Sequence, residues 1–195
     1  MKRRTLSRSL VVISIVSALT LSACGTGSSS DTTIGSSTPV KAEFNDDDAM
    51  FAQMMIPHHE QAVELAVMAL NKASLASSAI QEIANNINMT QGVEIDLMKQ
   101  SLEKWGQPYS AEDASLHSSM MEGMLSDEEL DSLRSLTGTA FDKAWAKGMI
   151  AHHEGAIQMA QDVTKDGVNS TMRTLAQVII STQTAEIATL RALLK

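Results

Sequence analysis

Two stretches of the chain repeat one order of apolar and polar positions. At the three-and-four spacing of an amphipathic helix, residues 46–71 read Phe51, Met55, His58, Ala62, Leu65, Ala69. Residues 138–165 read Trp145, Met149, His152, Ala156, Met159, Val163. The stripes agree position by position: aromatic, Met, His, Ala, long apolar, small apolar. A second amphipathic segment follows each. Over 75–105 the stripe is Ile80, Ala84, Ile87, Gln91, Glu94, Met98, and over 169–194 it is Met172, Leu175, Ile179, Gln183, Glu186, Leu190. Alternating strand patterns are nearly absent, so the spacing predicts four helices arranged as two hairpins.

Local signals agree with these boundaries. Asn45 before Asp46, Asp47 and Asp48 is a helix cap with an acidic first turn. Gly106 and Pro108 stop the second helix, and Asp166-Gly167 breaks the last hairpin. Ser126 to Glu129 has capping-box spacing and predicts a short helix in the linker. The halves are a true repeat. Met54–Ala66 aligns with Gly148–Ala160 at seven of thirteen identical positions, His152 follows His58 by 94 residues, and Gln183 follows Gln91 by 92. Hairpins of this kind pack as an all-α four-helix bundle, with repeat one at 44–106, a linker at 107–137 and repeat two at 138–195.

The region before the bundle points to export. Lys2, Arg3, Arg4 and Arg8 precede a short apolar run, Leu10 to Leu21, which ends in Leu21-Ser22-Ala23-Cys24. This order reads as a lipoprotein signal peptide over 1–23, cleaved before Cys24, whose acylation would hold the protein on an extracytoplasmic membrane face. Residues 24–43, rich in Ser, Thr and Gly, read as a flexible tether. Cys24 is the single cysteine, so no disulfide can form within one chain. The chain carries a formal charge of −8, and removal of four basic residues with the signal segment leaves 11 basic against 23 acidic residues. Such a charge disfavours nucleic acid and concentrates cations.

The helix stripes bring unusual side chains inward. His58 and His152 fall on the buried seams, and His59 and His153 lie about 100° round, at the seam edge. Gln91, Glu94, Gln183 and Glu186 fall on core positions of the partner helices, roughly level with the histidines. A neutral polar group buried without a partner costs about 1–3 kcal/mol, and a buried carboxylate costs more. A metal ion would satisfy the layer through imidazole and carboxylate. Mutual satisfaction by His–Glu pairs and Gln hydrogen bonds is the other solution.

Methionine changes which metal fits. Met54, Met55 and Met149 stand within a turn of the histidines, and thioether with imidazole is a soft ligand set that selects Cu(I). Met68, Met89 and Met172 read as core filler. The linker segment holding His117, Met120, Met121 and Met124 is polar with exposed sulfur, and offers a second, more labile copper contact or a cap on the bundle end. Pro57 removes a helix hydrogen bond just before the first histidine pair, where repeat two has Ala151. Gly92 beside Gln91 weakens its helix and admits close helix approach.

The doubled MI-x-HH-E-x-A helix, the Q-x-x-E-I helix, the Met120–Met124 linker and the Phe141-Asp142 helix start resemble the bacterial domain-of-unknown-function 305 family over essentially all of residues 44–195. The resemblance implies a ferritin-like bundle and a copper-binding or metallochaperone role. Glu122 departs from it, standing where a proline is expected between the linker methionines. Three functions follow: a copper protein for sequestration or delivery to a donor or acceptor protein, a structural or interaction bundle, and a ferritin-like di-metal oxidase with Fe or Zn as the alternative metal. No Glu-x-x-His motif and no hydrolase signature supports an enzyme.

Overall fold

The structure is a computed structural model that describes residues 43–112 and 121–195. Cys24, the signal and tether segments, His117 and Met120 lie outside the described residues. Four long helices carry the fold: α1 (Asp46–Leu70), α2 (Ser78–Lys104), α4 (Gly138–Asp166) and α5 (Ser170–Leu193), with a short α3 (Asp127–Arg134) in the linker. The chain is all-α, with no strand among the described residues. No described helix is long and apolar enough to cross a membrane.

Caps define the helix starts. Asn45 accepts from the Asp48 amide while Asp48 accepts from the Asn45 amide, a reciprocal box at 3.0 Å each way. Ser126 and Glu129 form the same device at α3. α1 runs through Pro57 as one helix. The first hairpin turns through a 3-10 turn, Lys72–Ser74, and Leu75 in the left-handed region.

α1 packs along α2, α4 along α5, and α1 lies against α4. The last pair runs antiparallel. Trp145, near the start of α4, donates its indole N–H to the Leu65 carbonyl near the end of α1 at 2.8 Å. Asp48, at the start of α1, accepts from the Val168 and Asn169 amides beyond the end of α4, both at 3.0 Å. The repeat appears again in these ties: Asp142, the counterpart of Asp48, accepts from the Ser77 amide at 3.1 Å beyond the end of α1. Each α1- or α4-type helix thus pins the other hairpin's turn.

The core is two apolar clusters. One gathers Leu65, Ile80, Ile87, Trp145, Met149 and Leu190, and the other Phe51, Met55, Ile95, Met98, Met172 and Ile179. Leu130 and Leu133 of α3 bury against the first cluster, and Arg134 pairs with Glu64 of α1. Several expectations change here. Met89 stands exposed on the outer face of α2, while Met172 is buried and Met68 packs partly against the core. Nothing lies within 4 Å of a Cβ built on Gly92, so that glycine serves no close helix approach. Met159 is half-buried, because its flank of α4 faces an open groove.

Candidate metal centre

Between the two clusters lies a polar layer. His58, His59, His152 and His153 are all buried, as are Gln91 and Gln183. His59 and His153 are therefore not at the seam edge: the partner helices α2 and α5 cover them as fully as their neighbours. Glu94 and Glu186 sit farther out than the stripe implied, with side chains 15% and 22% exposed. Met55 and Met149 are fully buried in opposite clusters, and Met54 is half-buried, lining a surface groove.

The antiparallel crossing of α1 and α4 brings His58 and His152 together, with ring centroids 3.8 Å apart. The flanking histidines turn to their own hairpins. His59 Nε2 lies 2.9 Å from Glu94 Oε2, and His153 Nε2 lies 2.7 Å from Glu186 Oε2. An ionised carboxylate only accepts hydrogen bonds, so Nε2 of each ring carries the proton and Nδ1 presents a lone pair. A carboxylate behind a ligating imidazole fixes ring and tautomer in just this way. His58 Nε2 donates to the Glu122 carbonyl at 3.4 Å, which again leaves Nδ1 bare.

The bare atoms are the chemical signature of the layer. His58 Nδ1, His59 Nδ1, His153 Nδ1 and both ring nitrogens of His152 are buried without a hydrogen-bond partner, as are the Gln91 and Gln183 carbonyl oxygens. Burial holds the His58 pKa down to about 3, and the electrostatic influence of the adjacent His59 lowers it further. Burial also holds His152 well below the ordinary 6.5, followed by the neighbouring His58. Both central rings are thus neutral at ordinary pH, the form that donates to a metal. Among the described residues no three His, Cys, Asp or Glu side chains gather as one metal-holding group. His59 and His153 are each paired with the carboxylate of their own hairpin.

The linker crosses this layer. Gln61 donates to the Leu125 carbonyl at 2.9 Å and accepts from the Leu125 amide at 2.8 Å. On α4 the strap lies so close that a Cβ on Gly155 would meet the Glu122 oxygen at 2.0 Å. Gly123, at φ +84, rests on the Ala151 carbonyl. Met121 is buried, contrary to the exposed sulfur expected of the linker, and Met124 is half-buried. Gln61, Gly123 and Gly155 were missed as site residues, although the repeat alignment places Gln61 opposite Gly155 at one of its differing positions.

The domain of unknown function DUF305 matches residues 48–194. The chain belongs to the DUF305 family. A DUF305 fragment from Deinococcus radiodurans is 29% identical with a TM-score of 0.70, over 78% of this chain and 98% of that one. A DUF305 protein of Streptomyces coelicolor, described as secreted, is 28% identical with a TM-score of 0.68, over 75% and 91%. A protein named CopM, solved with Cu(I), is 30% identical with a TM-score of 0.62, over 74% and 93%. CopM is also solved with Cu(II) and with silver. No curated protein matches the chain.

Proposed function

We propose that this DUF305 chain binds copper, Cu(I) by preference, at the buried histidine layer, and sequesters the ion or passes it to a partner protein. The carrying observation is the five bare ring nitrogens at the bundle centre. Left unpartnered, each buried polar atom costs about 1–3 kcal/mol. A bundle that only supported itself would have no use for that cost. His58, His152 and the Nδ1 atoms of His59 and His153 are the donors offered, and Glu94 and Glu186 act behind them as orienting groups.

The donor set fits a soft ion. Met55 and Met149 sit within a turn of the histidines, and thioether with neutral imidazole favours Cu(I) over harder ions. Fe and Zn fit less well, because the two carboxylates are engaged with imidazoles. For the same reason the di-metal oxidase reading falls behind, and copper is cargo with no catalytic step assigned. The copper and silver complexes of CopM support metal binding in this family. The Leu21–Cys24 sequence, read as an acylation signal, and the relative described as secreted support an extracytoplasmic, lipid-anchored protein.

Titration of the purified protein with Cu(I), Zn(II) and Fe(II) under reducing conditions, read as metal retained after desalting, tests this. Tight retention of Cu(I) alone is expected. His58→Ala and His152→Ala should each weaken binding more than tenfold, while Met68→Ala leaves it unchanged. Equal binding by all three variants would sink the site assignment.

A further inference from the structure

The crossing of α1 and α4 is two-fold in pattern, but its two flanks differ. On one flank Ala144 and Gly148 of α4 line a groove walled by Leu125 of the linker and Leu133 of α3. On the other flank stand their repeat counterparts, Met50 and Met54. These residues, with Met159 of α4, line an open groove of about 420 Å³. Among the described residues, linker side chains line only the first.

The open groove has the wrong chemistry for a bare apolar surface. Met50 is 54% exposed, and Met159 is half-buried where its counterpart Leu65 is 1% exposed. Met50 and Met54 are one helical turn apart on one face of α1, and Met159 meets them from α4. Three methionines from two helices therefore line one solvent-open groove. Asp47, Asp162 and Asp166 line the same groove, and no lysine or arginine does. Lys165 reaches Asp166 only at 3.7 Å, in an exposed pair. The carboxylates raise the local cation concentration, and the sulfurs choose soft ions from it.

We propose that Met50, Met54 and Met159 form a second metal site, open to solvent, for a soft monovalent cation of the Cu(I) class. It is separate from the buried histidines. The choice of ion rests on the copper reading above, but the ligand set shares no residue with the layer's imidazole donors. Its openness suits rapid capture and release, whereas the histidine layer lies beneath helices and strap.

Silver(I), a soft monovalent ion that does not change oxidation state here, is the probe. It is titrated into the full chain with carbon-13-labelled methionine methyls, and into a His58→Ala/His152→Ala variant. The Met50, Met54 and Met159 methyl resonances should shift together in both proteins, while the core Met172 resonance stays. A Met50→Leu/Met54→Leu/Met159→Leu variant, close in volume and so folded, should bind one silver ion fewer than the parent chain. Unmoved methyls, or a triple variant with undiminished stoichiometry, would overturn the groove site. Silver lost by the histidine variant with the three methyls unmoved would leave the copper reading standing and remove only this site. Methyl shifts with silver binding otherwise unaffected by the histidine changes would uphold the groove and move the main site away from the layer.

Discussion

The two halves of the bundle descend from one pattern and meet the linker differently. His58 has a partner in the Glu122 carbonyl, while His152, its counterpart 94 residues on, keeps both ring nitrogens bare. Gln61 grips the strap with two hydrogen bonds, while Gly155 at the same repeat position makes room for it. Ala144 and Gly148 line a groove shared with Leu125 of the linker, while Met50 and Met54 line one shared with Met159 of α4. A duplicated pair of hairpins can build a symmetric frame, but one linker can serve only one side. Two of the differences between the repeats, Gln61 against Gly155 and Met54 against Gly148, fall where described linker residues touch one half.

The largest expected effect acts on both halves at once and marks what they share. His58 and His152 have folded-state pKa values below the ordinary 6.5, so the unfolded chain binds more protons in acid. Stability from this source is full above pH 6.5 and is lost as pH falls towards 3. Urea midpoints of the metal-free protein should drop over that window, and a His58→Gln/His152→Gln variant should show a shallower fall. An identical fall in both proteins would remove the central pair as the cause.

Next in size is a test that separates the halves. Gly155→Ala drives a Cβ into the Glu122 carbonyl, where backbone must move, and should cost about 2–3 kcal/mol. Gly148→Ala meets only the flexible Leu125 side chain at 3.2 Å and gains helix propensity, so its change should stay within about 0.5 kcal/mol. Equal denaturation midpoints for the two variants would break the sided picture of the linker.

The smallest effect probes the strap from α1. Gln61→Ala removes both hydrogen bonds to Leu125 and should cost about 1–2 kcal/mol at half-buried sites. Hydrogen exchange at the Leu125 amide should quicken more than global unfolding explains. Protection unchanged at that amide would mean that the apolar contacts of α3, and not Gln61, hold the strap.

Much of the fold was legible along the chain. Periodicity placed all four long helices within about three residues of their ends, because buried stripes and caps are local properties. His58, His152, Gln91 and Gln183 were legible as a buried layer for the same reason. Met159 was not legible as a groove residue. Its stripe position matches Leu65, and only α3, which covers the Leu65 side, distinguishes the two. His59 and His153 were placed at an edge because a helical wheel knows nothing of the neighbouring helix that closes over it.

Composition, repeat and spacing by themselves determined an all-α duplicated bundle with imidazole, amide and carboxylate aimed inward, since each depends on residues within a few turns of one another. Only the tertiary structure decided which partner each group meets. Glu94 and Glu186 back His59 and His153 rather than the central pair, the strap's Glu122 carbonyl meets the ring of His58 and not that of His152, and three methionines line a groove open to solvent. Those outcomes depend on the antiparallel crossing of α1 with α4 and on where linker residues 121–125 lie against it, and both are set by contacts between residues far apart in the chain.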